Sequence, residues 1–213
     1  SLDSFHRLEL LERRALEESL DFRFGPRNLL VTFHPVTLEV ATAAVQMEEI
    51  LAALDSLEDT HIIFTMPNAD MEGRALFDLI QDFVVDRPQC SLYTSLGQLR
   101  YLSTVAQVDA VVGNSSSGLT EVPSLGIGTV NIGDRQRGRL KAASVVDCDP
   151  DRQSISAALA HIQTEEFRSV LATSRNPYDP FGDGQTSRRV LEVLRTVDLG
   201  GVLKKRFHDL PAA

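Results

Sequence analysis

The run Val111-Val112-Gly113-Asn114-Ser115-Ser116-Ser117-Gly118-Leu119-Thr120-Glu121 carries the residue types and spacing that can do chemistry. An apolar stretch feeds a small polar turn, and the pattern then predicts the start of a helix. Backbone N–H groups and the hydroxyls of Ser115, Ser116 and Ser117 at such a start suit an anion such as a phosphate. Glu121 follows Ser117 by four residues, which on a helix sets it one turn further along nearly the same face. A carboxylate there can accept from both hydroxyls of a ribose, as an acidic residue does in dinucleotide-binding folds. Phosphate donors beside a diol acceptor point to a nucleotide. Taken alone, a serine-rich helix start is equally a plain N-cap.

In open parallel sheets ligands sit outside the carboxyl ends of the strands, so polar residues that follow a strand matter most. His34 does so in Phe33-His34-Pro35-Val36-Thr37, and Asn68 and Asp70 do so in Pro67-Asn68-Ala69-Asp70. The stretch from Asn131 to Arg139 follows another and holds Arg135, Arg137 and Arg139 within a glycine-flanked loop. His34 is either a packed or capping histidine ahead of a proline, or a donor to a phosphate oxygen, where a dianion favours its charged form. Asn68 and Asp70 either make a turn, or place an amide on a sugar or phosphate with Asp70 capping the next helix. The arginines are either solvated charges or bidentate phosphate ligands, the role to which guanidinium suits them. Tyr101 is either core packing or a flat face for uracil. The convergence of these clusters on one sheet edge weighs more than any one of them.

The elements that must position these residues alternate short apolar runs with longer helical patterns. Leu8–Leu20 predicts a charged amphipathic helix that breaks at Gly25-Pro26. Strands are expected at Asn28–His34, His61–Thr65, Ser91–Tyr93, Ala110–Val112, Gly128–Ile132 and Ser144–Val146. Helices are expected at Val40–Leu57, Met71–Val85 and Leu96–Ala106, with two or three more between Asp151 and Leu199. Near-continuous apolar strands separated by helices argue an α/β domain, a Rossmann-like parallel sheet with helices on both faces. The expected organisation is a lead-in over residues 1–25 and the sheet domain over 26–213.

Composition agrees. The chain has 213 residues, 43% of them hydrophobic, enough for a sizeable core. A net charge of −9 argues against nucleic acid as a partner. No apolar run approaches the roughly 20 residues of a membrane span. Cys90 and Cys148 show no metal-ligand spacing, and Cys90 reads as a buried small hydrophobe. No leader is evident, so the cytoplasm is the expected compartment, and a chain opening at Ser1 reads as a processed or truncated piece. No metal and no cofactor are expected.

Four segments, in this order, resemble the hydrolysing UDP-N-acetylglucosamine 2-epimerases, the sialic-acid and bacillosamine branch above all. They are His34-Pro35-Val36-Thr37, Pro67-Asn68-Ala69-Asp70, Gly113 to Pro123, and Asn131 to Arg139. Asn176-Pro177-Tyr178 with Gly182-Asp183-Gly184 resembles that family's closing motif, although Asp179-Pro180-Phe181 interrupts its compact form. The resemblance implies the C-terminal half of a glycosyltransferase-B-like fold, with a UDP-sugar in the cleft between two domains. It implies that His34 and Arg135 meet the diphosphate together with Ser115, Ser116 and Ser117. It further implies that Glu121 holds the ribose, Tyr101 flanks uracil, and Asn68 lies at the sugar-phosphate end. The catalytic carboxylates would come chiefly from the other domain, leaving His34 and Arg135 to stabilise the leaving group, and the isolated chain inactive. Two other readings stay open: the donor-nucleotide domain of a glycosyltransferase, and a non-catalytic UDP-sugar-binding module. A homo-oligomer is expected, through the apolar residues of Thr186–Leu199 or the cleft face.

Overall fold

A computed structural model describes residues 8–36, 43–66 and 71–200, apart from the side chains of residues 71 and 72. The chain forms two compact units. Leu8–Gly182 holds the sheet, and the described part of the other unit, residues 183–200, holds one helix.

In the first unit the order is α1 (Arg13–Leu20), β1 (Arg27–Thr32), α2 (Ala43–Asp55), β2 (Thr60–Thr65), α3 (Met71–Val85), β3 (Cys90–Tyr93) and α4 (Gly97–Val105). Then come β4 (Ala110–Gly113), α5 (Ser117–Thr120), β5 (Gly128–Ile132), β6 (Val145–Cys148), α6 (Arg152–His161) and α7 (Glu165–Thr173). All strand pairs are parallel, in the spatial order β3-β2-β1-β4-β5-β6. The order reverses between β1 and β4, which places the crevice of a Rossmann-like sheet beyond Thr32 and Gly113, paired partners in register.

Alternate residues of each strand face opposite layers. On one side Leu29, Val31, Phe64, Val112 and Ile132 pack with Met47, Ile50, Leu54, Leu76 and Ile155. On the other, Leu30, Ile63 and Val111 pack with Leu16, Leu20, Phe22, Phe24 and Val105. Burying an aliphatic or phenylalanine side chain of this kind contributes about 1.5–3 kcal/mol, and both faces of the sheet are covered. The lead-in is therefore part of the packed unit, through Leu16 and Leu20 of α1 and the phenylalanines that follow it.

Several element limits differ from expectation for local reasons. The first helix begins at Arg13, not Leu8, because Glu12 is extended (ψ 152°) and the Leu11 N–H donates to Ser103 Oγ at 2.9 Å. The first strand ends at Thr32, not His34, because the His34 peptide is taken by the side chain of Asn114. β6 starts one residue late and runs on to Cys148, whose carbonyl accepts from Gly133 N–H at 2.9 Å. The helix after the serine turn is a single turn. Pro123 cannot continue its hydrogen-bond ladder, and the chain passes into a 3-10 turn over Val122–Leu125. Met71–Val85 has the expected bounds. For the helix expected at Val40–Leu57, residues 40–42 lie outside the described part.

In the second unit α8 (Thr186–Thr196) follows Asp183, whose carboxylate accepts from Arg189 Nη1 at 2.8 Å. The Arg189 guanidinium holds the Asp183 carboxyl down to about 2. No α8 side chain is buried, and Val190, Leu191, Val193 and Leu194 lie exposed along it.

Candidate functional site

The crevice is built from the ends of β1, β4 and β5 and from the start of α4. β4 can approach β1 closely because its last residue is Gly113, at φ +132°, where a Cβ would stand 2.0 Å from the Thr32 carbonyl oxygen. Asn114 comes directly after it and is 1% exposed. The Asn114 carboxamide meets both polar groups of the His34 backbone. His34 N–H donates to Asn114 Oδ1, and Asn114 Nδ2 donates to the His34 carbonyl, each at 2.8 Å. The Asn114 main-chain carbonyl accepts twice more, from Arg135 Nη1 at 3.0 Å and Gln136 Nε2 at 2.7 Å. One residue thus gathers the loops after β1, β4 and β5. Burial, and then the Arg139 charge, pull the Arg135 guanidinium below the ordinary arginine value. Arg137 and Arg139 are exposed on the same loop.

The serine turn is held from two further sides. Tyr101 Oη donates to Ser117 Oγ at 2.6 Å. Burial pushes the Tyr101 phenol up to about 12 against the opposing effect of that bond, so it stays a donor. Asn176 is 6% exposed and donates from Nδ2 to the Thr120 carbonyl (2.8 Å) and to Ser124 Oγ (2.7 Å), while its Oδ1 accepts from Tyr178 N–H at 2.9 Å. The first half of the closing motif therefore clamps the far end of the turn. Ser115, Ser116 and Ser117 are half-buried, as is Glu121, which caps α5 with its N–H on the Ser117 carbonyl at 2.9 Å. The Glu121 carboxylate has no hydrogen-bond donor among the described residues. With α5 only four residues long, little macrodipole remains, so the helix terminus expected from the sequence offers little of its own to an anion.

Two cavities open at this edge. One of about 230 Å³ lies beyond β1, β2 and β3, bordered by Thr32, His34, Thr65, Thr94, Gly97 and Tyr101. Thr32 and Thr65 join their hydroxyls at 2.5 Å in its wall. The other, of about 430 Å³, lies beyond β4, β5 and β6 and is bordered by Val36, Asn114, Gly133, Asp134, Asp147 and Cys148. Asp147 pairs there with Lys141 Nζ (2.8 and 2.7 Å) and accepts from Asn131 Nδ2 (2.7 Å). Burial, with Asp147, Asp149 and Asp151 around it, pushes the Cys148 thiol up to about 12, which removes it as a thiolate nucleophile. Cys90 is buried in β3 as a small hydrophobe.

Of the residues singled out in the sequence, His34, Tyr101, Ser115, Ser116, Ser117, Glu121 and Arg135 all lie on or beside this edge. Asn68 and Asp70 lie outside the described residues, as does Thr37. Sequence reasoning passed over Asn114 and Gln136. The available signal was an amide placed directly after the glycine that closes a buried strand.

The family model described as UDP-N-acetylglucosamine 2-epimerase matches residues 3–195. The chain belongs to that family. Among relatives of this epimerase-family chain, the GDP/UDP-N,N'-diacetylbacillosamine 2-epimerase (hydrolyzing) of Campylobacter jejuni is 32% identical over 204 residues, 95% of this chain and 52% of that protein. The polysialic acid biosynthesis protein P7 of Escherichia coli is 37% identical, over 92% of this chain and 50% of that protein. The S. aureus MnaA–UDP co-structure superimposes with a TM-score of 0.69 at 16% identity, over 91% of this chain and 50% of that one. That likeness shows the fold. The chain spans about half the length of the relatives it matches. No helix among the described residues is long and apolar enough to cross a membrane.

Proposed function

We propose that this epimerase-family chain is the nucleotide-holding half of a hydrolysing UDP-N-acetylhexosamine 2-epimerase. The whole protein would convert UDP-N-acetylglucosamine and water to N-acetylmannosamine and UDP, or act on the diacetamido counterpart. One observation carries the reading. Asn114 ties the His34 backbone and the Arg135 guanidinium to the start of the serine turn, so an imidazole, a guanidinium and a run of N–H and hydroxyl donors share one sheet edge. A diphosphate there would offset the mutual repulsion of Arg135 and Arg139 and accept from the serine amides. Glu121 would take the ribose hydroxyls, Tyr101 would flank uracil while tethering Ser117, and Asn68 would lie toward the sugar.

The reaction removes the C2 proton and breaks the C1–O bond, so the electron pair of that bond leaves on the UDP phosphate. Water then adds to the unsaturated sugar. Donors fixed where that negative charge develops lower the barrier without rearranging. Proton abstraction needs a base set against the sugar ring, and we assign that base to the remaining part of the whole protein. A cytoplasmic setting fits the two unpaired cysteines.

Calorimetric titration with UDP tests the reading, with Glu121→Ala/Arg135→Ala as the comparison. Loss of two charge-assisted hydrogen bonds is expected to weaken binding by about 100-fold or more. Equal binding by parent and variant would remove these residues from the site. No binding by the parent would refute a preformed half-site.

We further propose that the exposed apolar side of α8 drives self-association of the chain. Sedimentation should show an oligomer that dissociates in Leu191→Glu/Leu194→Glu. A parent that is monomeric at every concentration would exclude it.

A further inference from the structure

We propose that Asn114 is the positioning residue that makes the anion-binding part of the crevice one rigid unit, an inference that rests on the UDP reading above. β1 and β4 pair in register up to Thr32 and Gly113, and the last main-chain bond between them runs from Asn114 N–H to the Thr32 carbonyl at 3.2 Å. Beyond it the backbones no longer pair. The Asn114 carboxamide acts there as a surrogate peptide group, presenting one acceptor and one donor to His34 N–H and C=O.

This task selects the residue type. A carboxylate lacks the donor, an aliphatic side chain lacks both, and a serine hydroxyl is too short to span the two His34 groups together. Burial of Asn114 keeps water from competing for the same bonds.

The other end of the residue fixes the arginine. Among the described residues Arg135 makes one hydrogen bond, to the Asn114 carbonyl, from a guanidinium that carries five N–H donors. Gln136 is 2% exposed and holds the same carbonyl from beneath, so the β5 loop cannot swing away without breaking two bonds at one oxygen. Its amide orientation is set, because only Nε2 can donate to that carbonyl. Its Oε1 has no hydrogen-bond partner among the described residues. His34 and Arg135 are thus referred to a common point, whereas Tyr101 is tied to the turn through Ser117 Oγ and, among the described residues, makes no hydrogen bond to Asn114. Asn114 should therefore govern the phosphate end of the ligand and not the nucleoside end.

NMR-monitored titrations of the chain with UDP and with uridine separate those ends. In Asn114→Ala, UDP affinity should fall by about tenfold or more while uridine affinity stays within about twofold of the parent. The His34 amide resonance should lose the downfield shift of its hydrogen bond. Asn114→Ser, polar but too short to bridge, should repeat the pattern and serves if the alanine variant does not fold. Unchanged UDP affinity in a folded variant overturns the proposal. Equal losses for UDP and uridine overturn it too, since they mean general loosening. If the parent binds uridine but gains nothing from the diphosphate, the anion site itself is refuted. If it binds neither, the nucleotide reading fails and this inference fails with it.

Discussion

Replacing Gly113 by alanine is expected to remove a large share of the chain's folding stability. Two penalties coincide at this position. A backbone φ of +132° is strained for any residue with a Cβ, and the added carbon would stand 2.0 Å from the Thr32 oxygen and 2.7 Å from its carbonyl carbon. The clashing group is main chain, so no side-chain rotation relieves it. Sliding β4 away from β1 would open the ladder beside Val31 and Val112, both essentially fully buried. The cost should exceed about 4 kcal/mol, against a total stability of about 5–15 kcal/mol for a domain. Gly133 is the control. Its φ is +72°, but no non-adjacent atom of the described residues lies within 4 Å of its added Cβ, and alanine there should cost about 1 kcal/mol. Urea unfolding followed by circular dichroism measures both. A Gly113→Ala chain within about 1 kcal/mol of the parent would mean that β1 and β4 are not locked as described.

Asn176→Ala should cost about 2–3 kcal/mol, more than its small change in size suggests. The side chain donates to the Thr120 carbonyl and Ser124 Oγ and accepts from Tyr178 N–H, all in a site where water has little access. Truncation leaves these groups without their partner. The damage is local to the end of α5, so binding of UDP should weaken together with stability. Asn176→Asp should keep the Tyr178 bond and can accept from the Ser124 hydroxyl, but it loses the donor to the Thr120 carbonyl. Thermal unfolding with and without UDP is the measurement. A variant as stable as the parent would show that the Asn176 clamp is dispensable.

How much of this was legible depended on the kind of signal. The strands Arg27–Thr32 and Ala110–Gly113 announce themselves by runs such as Leu29-Leu30-Val31 and Ala110-Val111-Val112, because a parallel strand buried on both faces must be apolar throughout. The helix Met71–Val85 has the periodicity that marks a helix, and the order of polar loops located the crevice. What escaped were bonds between distant side chains and main chain. The Leu11 N–H meets Ser103 across 92 positions, and Asn114 meets His34 across 80. No period records such a contact. Phe33-His34 looks like continued strand, yet the Asn114 amide ends the pairing there. The brevity of α5 was written in Pro123, but the serines drew attention to its start and not its end.

A helix of one turn is also a gauge. From Ser117 to Glu121 the backbone rises about 6 Å, with the turn clamped at both ends, by Tyr101 and by Asn176. A span of that size separates the diol of a ribose from its phosphates, so α5 can act as a spacer cut to length. Pro123 then does more than end a helix. It keeps the spacer from growing, and under the UDP reading proposed above one turn would both hold the ligand and set its length.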